Sequence, residues 1–169
     1  TIDSAAGTGS YNLGGGTVSQ GTLKLTGAGS VAFSNYVVPT GGLLLLDNAT
    51  ANLNNRLGGP NRSLTLQGGE LKIIGNASAA TVESLLSPNI SGGSTLSRAN
   101  GMSTITLVAN AAQSLSLNVG AISALAGADG LLVRGTNLGA TPGPGVANLT
   151  AIASNFSAAA QTGPGGGGA

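Results

Sequence analysis

The sequence lacks most of the residue types that enzyme active sites use. Its 169 residues include no cysteine, no histidine and no tryptophan, and only 7% of them are charged. Without histidine or cysteine, the common pairs of nucleophile and base cannot be assembled. The absence of cysteine also excludes disulfide bonds, although it does not fix the compartment. We therefore expect a protein that is not an enzyme and that uses no metal and no cofactor.

Charge and aromatic residues are also scarce. Six basic residues against five acidic ones leave a net charge of +1, and aromatic residues make up 2% of the chain. Nucleic acid binding needs clustered cations and stacking aromatics, so we expect no nucleic acid partner. No apolar run approaches the roughly 18 residues of a membrane span, so we expect none. Because the chain begins at Thr1 without Met, we expect a processed or excised piece whose signal peptide is gone.

The main structural signal of the sequence is the alternation of apolar and polar residues in segments that are bounded by glycine. The chain has 30 glycines and a mean hydropathy of +0.29, which favours a folded protein over a disordered one. The clearest stretch is SLTLQGGELKIIG, residues 63–75, where apolar and polar residues alternate with period two. This period predicts half-buried β-strands. The residues predicted to be buried are Leu64, Leu66, Leu71 and Ile73, and those predicted to be exposed are Glu70 and Lys72.

One short phrase recurs along the chain as TLKLTG, SLTLQGG, TITLVAN and SLSLNVG, at irregular spacing. Repeated units of strand and turn predict an all-β fold, a right-handed parallel β-helix or solenoid with Gly- and Asn-rich corners. The alternative is an antiparallel β-sandwich or jelly roll. In that fold Gln67 to Glu70 would form a hairpin turn that places Leu66 opposite Leu71. Glycine-rich corners and scarce aromatics favour the solenoid.

Composition divides the chain into three parts. We predict an N-terminal arm at 1–13, a β-solenoid domain at 14–139, and a Gly/Pro/Ala-rich tail at 140–169 with a docking strand at 146–156. Within the domain, Leu43 to Leu46 predict a strand that is covered on both faces. Residues 84–102 predict an excursion from the core, and residues 121–128 predict one short helical turn.

Four segments carry a resemblance in combination. They are GGTVSQGTLKLTGAG, TGGLLLLDNATANLNNRLGG, SLTLQGGELKIIGNAS and LLVRGTNLG, and they span Gly14 to Gly139. In this order they resemble the autotransporter-associated β-strand repeat proteins, which are large secreted proteins of the bacterial surface. The resemblance implies an exported, extracellular β-solenoid of bacterial origin. The family's string of near-identical repeats is missing here.

The sequence offers few candidate sites. Asp47 with Glu70, near Arg56 and Arg62, is the one constellation that fits the paired carboxylates of sugar cleavage, and we interpret it as solvated charge. ALAGADGL, residues 124–131, is distantly similar to a calcium-binding nonapeptide, but a turn at Asp129–Gly130 explains it better. The asparagines in Asn-x-Ser/Thr triplets, candidate glycan acceptors, are Asn48, Asn61, Asn76, Asn89, Asn148 and Asn155.

These observations predict a non-catalytic extracellular structural protein, a β-rich subunit of a bacterial surface layer or of a head-to-tail filament. The expected partners are other copies of the chain, because uncapped and uncharged strand edges favour pairing. The alternative is a carbohydrate-binding adhesin or a polysaccharide lyase on a β-helix. The scarcity of Trp and Tyr counts against sugar recognition.

Overall fold

The computed structural model describes residues 2–4, 10–11, 16–31, 35–57, 62–85, 95–124 and 129–154. These residues form fifteen β-strands and no helix, which confirms the all-β class. In chain order the strands are β1 Ile2–Ser4, β2 Ser10–Tyr11, β3 Gly16–Thr17, β4 Gly21–Gly27, β5 Ser30–Val31, β6 Asn35–Pro39, β7 Gly42–Asp47, β8 Ser63–Gln67, β9 Glu70–Ile74, β10 Thr81–Ser84, β11 Thr95–Arg98, β12 Gly101–Val108, β13 Leu115–Ala124, β14 Asp129–Gly135 and β15 Ala147–Ser154.

Most strands belong to one of two sheets, and from β6 onward the chain alternates between them except that β10 and β11 both belong to the second. The first sheet has the order β1-β4-β7-β9-β12-β14, and the second has the order β10-β13-β11-β8-β6-β3, with β15 also paired to β13. Strands β2 and β5 form a third sheet of two strands. Register partners are separated by between 20 residues, as in Gly16 and Tyr36, and 34 residues, as in Glu70 and Thr104. This connectivity is compatible with a β-helix or solenoid.

All pairings between the described strands are parallel, and one isolated bridge, Pro39 to Gly68, is antiparallel. The hairpin of the antiparallel alternative is therefore wrong, since β8 belongs to the second sheet and β9 to the first. Gly68, with φ of 83°, lies between them where the chain passes from one sheet to the other. This left-handed conformation is one that glycine adopts readily.

Period-two burial follows the predicted pattern in the central stretch. Leu64, Leu66, Leu71 and Ile73 are fully buried, as predicted. Glu70 and Lys72 point to the opposite face but are half-buried rather than exposed, because neighbouring strands flank them on both sides.

The four leucines of β7 alternate in the same way. Leu44 and Leu46 are fully buried, whereas Leu43 and Leu45 are half-buried on the outer face of the first sheet. The prediction of a strand covered on both faces is therefore wrong. A sheet that packs one face on the core leaves the other face accessible to water.

Buried side chains form columns that cross the first sheet from strand to strand. One column is Leu23, Leu44, Leu71, Ile105 and Val133, each in register with the next. A second column is Leu25, Leu46, Ile73 and Leu107. Full burial of such a side chain contributes about 1.5–3 kcal/mol, so these columns are the main favourable term in stacking one strand on the next.

Two further expectations of secondary structure are corrected. Residues 95–98, predicted as part of an excursion, form β11 within the second sheet, because Leu96 lies in register with Leu64 and is buried with it. Residues 121–124, predicted as helical, belong to β13, whose pairing with β11 satisfies the backbone. Residues 86–94 and 125–128 lie outside the described part of the chain.

The ends of the described chain also contain strands. In the predicted arm, β1 pairs with β4 and β2 pairs with β5. In the predicted tail, β15 pairs in parallel with β13 over most of its length.

Candidate functional site

The predicted carboxylate pair is not brought together. Asp47 lies in register with Ile74, and Glu70 with Leu43, so the two acids are four residues apart along neighbouring strands. That offset corresponds to roughly 13 Å between backbone positions. The two carboxyl groups of a glycosidase are about 5–9.5 Å apart. Asp47 and Glu70 therefore do not form the paired arrangement.

Each of these acids has a cationic partner of its own. Lys24 Nζ lies 2.7 Å from Asp47 Oδ2. Glu70 Oε1 accepts a hydrogen bond from Thr106 Oγ1 at 2.6 Å and lies 3.4 Å from Arg134 Nη2. Burial by itself raises the pKa of Asp47, but hydrogen bonds from Lys24 and the Ala49 N–H, with the charge of Lys24, lower that pKa below its usual value.

Arg56, predicted to lie near this pair, interacts electrostatically with Asp47 and is also the centre of a buried polar corner. Its side chain is fully buried, in the segment between β7 and β8. The guanidinium donates to the carbonyls of Gly29 at 2.7 Å, Gly27 at 2.8 Å and Ala51 at 3.0 Å. It thus satisfies backbone acceptors in two segments of the chain, one at the end of β4 and the turn after it, the other following β7. Arg62, the other predicted cation, comes just before β8 in the second sheet.

Glu83, on β10, binds to the same corner. Its two carboxylate oxygens accept hydrogen bonds from the backbone N–H groups of Arg56, at 2.8 Å, and Leu57, at 3.1 Å. Burial raises the pKa of Glu83 to about 7, although these two hydrogen bonds and the charge of Arg56 oppose the shift. Glu83 is therefore a buried carboxyl group that titrates near neutral pH.

Two candidate glycan acceptors, Asn48 and Asn76, are buried in this corner. Asn48 Oδ1 accepts hydrogen bonds from Arg56 Nε and the Leu53 N–H, both at 2.9 Å. Asn76 Nδ2 donates to the Asn48 carbonyl at 2.8 Å. In the folded protein both side chains are engaged in backbone support, as amides at tight corners commonly are.

The remaining glycan candidates have different positions. Asn148 lies half-buried on β15, in register with Ser116. Asn61, Asn89 and Asn155 lie outside the described residues. Asp129 and Gly130, predicted to form a turn, are the first two residues of β14.

The outer face of the first sheet carries two adjacent rows of side chains that cross the strands. The residues in register that we name the groove row are Thr22, Leu43, Glu70, Thr104 and Leu132. Those that we name the cation row are Lys24, Leu45, Lys72, Thr106 and Arg134. Three of the six basic residues of the chain therefore fall in one row, a placement that their spacing in the sequence does not reveal.

A groove runs beside the groove row at the corner where the chain enters the first sheet. It encloses about 370 Å³ and is lined by Thr22, Leu43, Glu70 and Thr104 together with Gly21, Gly41, Gly42, Gly68 and Gly69. The glycines are required by the corner itself. A Cβ on Gly69 would stand 2.5 Å from the carbonyl oxygen of Val38. This groove is open and polar, and the cation row lies at its side.

No protein-family model, curated protein or solved structure matches this chain. The resemblance to the autotransporter-associated repeat proteins therefore stays a prediction. Over the described ranges, His, Cys, Asp and Glu residues do not gather in a group of three or more that could bind a metal ion. The same residues include no helix with the length and apolar character of a membrane span.

Proposed function

We propose that this chain is a non-catalytic structural module of a bacterial surface, built as a right-handed parallel β-solenoid. The repeated return of the chain to the same parallel sheets supports the solenoid, because successive passes stack new strands on earlier ones. The dispersed acids support a structural role, since Asp47 and Glu70 each hold a cation instead of a common substrate position. The sequence resemblance supports export to the cell surface.

We further propose that copies of the module associate head to tail. The observation that carries this proposal is that, among the described residues, one core column is incompletely covered at both of its ends. Leu44, Leu71 and Ile105 are fully buried, whereas the terminal members Leu23 and Val133 are only partly buried. An open end of an apolar column gains burial when another layer is stacked on it.

The two edge strands of the first sheet run in the same direction. Among the described strands, β14 pairs only with β12, and β1 pairs only with β4. Both edges belong to the first sheet, where all neighbours are parallel. A contact between the β14 edge of one copy and the β1 edge of the next preserves strand direction. Such a heterologous contact propagates into a filament when the rotation does not close a ring.

Light scattering and electron microscopy over a range of protein concentrations test this proposal, with two variants of β14. Val133→Lys places a charge at the open column end, and Leu132→Lys places one on the outward face of the same strand, where Leu132 is 48% exposed. We expect the wild type and Leu132→Lys to form elongated particles and folded Val133→Lys to stay monomeric. A wild type that remains monomeric at the highest concentration contradicts head-to-tail association, and so does a Val133→Lys variant that polymerises normally.

A further inference from the structure

We propose that the groove and the cation row together bind an extended acidic polysaccharide, whose chain runs across the strands of the first sheet. The two rows are two residues apart on every strand, and each crosses five successive strands. A polymer lying along the groove row would therefore keep its side groups beside the cation row over its whole length. This inference does not depend on head-to-tail association.

The arrangement of charge selects an anionic ligand. Lys24, Lys72 and Arg134 occupy every second strand of the row, which spaces them by about 9.6 Å. Lys24 and Arg134 are each paired with a carboxylate. Lys72, between them, has no ion-pair or hydrogen-bond partner within the described part of the chain. The centre of the row therefore carries one uncompensated positive charge beside the groove.

The groove adds groups that suit sugar hydroxyls. Thr106 and Arg134 both contact Oε1 of Glu70 and so hold its carboxylate in place, while Oε2 accepts no hydrogen bond from any described residue. Glu70, Thr22 and Thr104 line the groove, and their carboxylate and hydroxyl groups are acceptors and donors that suit a polyhydroxylated chain. Leu43, between Thr22 and Glu70 in the row, offers an apolar contact for a sugar ring.

Other anionic polymers fit this surface less well. A peptide strand binds through unpaired backbone groups at a sheet edge, whereas β7, β9 and β12 have neighbours on both sides. Nucleic acid presents a phosphate about every 3.4 Å along each strand and is held by stacking on aromatic side chains. Three cations spaced by about 9.6 Å do not match that density of phosphates. In addition, no residue of the groove row or the cation row is aromatic.

Calorimetric titration of the full chain with oligogalacturonate tests the proposal. The matched neutral probe is the same oligosaccharide with its carboxylates methyl-esterified, and single-stranded DNA is the anionic polymer that is not a polysaccharide. Lys72→Gln removes the uncompensated charge, and Arg62→Gln is the control, since Arg62 lies at the second sheet.

We expect oligogalacturonate to bind, with an affinity that falls in high salt and falls about fivefold in Lys72→Gln, the upper range for one exposed charge contact. Arg62→Gln should bind as the wild type does. Equal binding of the methyl-esterified probe would overturn the assigned role of the cation row. Equal binding of DNA would contradict the choice of a polysaccharide and show that the site binds anionic polymers in general. No binding of oligogalacturonate, or equal losses in both variants, would contradict the site itself.

Discussion

Glu83 should make the stability of this protein fall as the pH rises from about 5 to about 7.5. The change that isolates this effect is Glu83→Gln, which keeps the shape of the side chain and removes its titration. The amide oxygen can still accept one of the two N–H groups, from Arg56 or Leu57, and the other loses its acceptor. We therefore expect the variant to be about 1–3 kcal/mol less stable than the wild type at pH 5.

The magnitude of the pH effect follows from the shift of the pKa. The ordinary value of 4.5 applies to the unfolded chain, and burial raises the folded value to about 7. Between these values the folded state binds more protons than the unfolded state, so the free energy of unfolding decreases as pH rises. The contribution is complete below about pH 4.5 and is lost above about pH 7. A shift of this size corresponds to about 3 kcal/mol.

Urea unfolding followed by far-UV circular dichroism at several pH values between 5 and 7.5 measures this slope. The chain has no histidine, so few other groups titrate in the window. Asp47 does not contribute to this slope, since its lowered pKa gives a stabilisation that is lost only at more acidic pH. We expect a falling curve for the wild type and for Glu70→Gln, the control carboxylate on the outer face, and a flat curve for Glu83→Gln. Equal slopes in the wild type and Glu83→Gln would refute the assignment of the titration to Glu83.

Two further predictions concern packing. Leu66→Ala should lower the free energy of unfolding by about 2–5 kcal/mol, because Leu66 is fully buried; a loss below about 0.5 kcal/mol in denaturant titrations would place it outside the core. Gly69→Ala should lower the melting temperature markedly, because its Cβ would meet the Val38 carbonyl oxygen at 2.5 Å, whereas at Gly75 the nearest atom is 3.3 Å away. Thermal scans that show equal losses for Gly69→Ala and Gly75→Ala would contradict this steric account.

Local alternation was sufficient to predict strands and their buried faces. In SLTLQGGELKIIG the pleat of a strand directs successive side chains to opposite faces, and Leu66 and Leu71 are buried accordingly. The same local pattern fits both a hairpin and a turn between two sheets. Only the pairing of β8 with β6 and β11, and of β9 with β7 and β12, distinguishes them.

The candidate sites depended on contacts between distant residues. Arg56 and Glu83 are 27 residues apart, and the corner that they form has no signature in the Asn-rich segment around Arg56. The cation row joins Lys24, Lys72 and Arg134 because unequal connections happen to bring them into register.

The sequence by itself therefore determined the class of fold and the inward face of the central strands, because side-chain direction in a strand depends only on neighbouring residues. Tertiary structure decided which strands pair, which acids meet which cations, and which polar groups are buried at the corner. Those outcomes depend on how the entire chain covers its apolar columns. The free energy of that burial comes from contacts between residues that are 20 to 34 positions apart. A pattern of neighbouring residues does not contain this information.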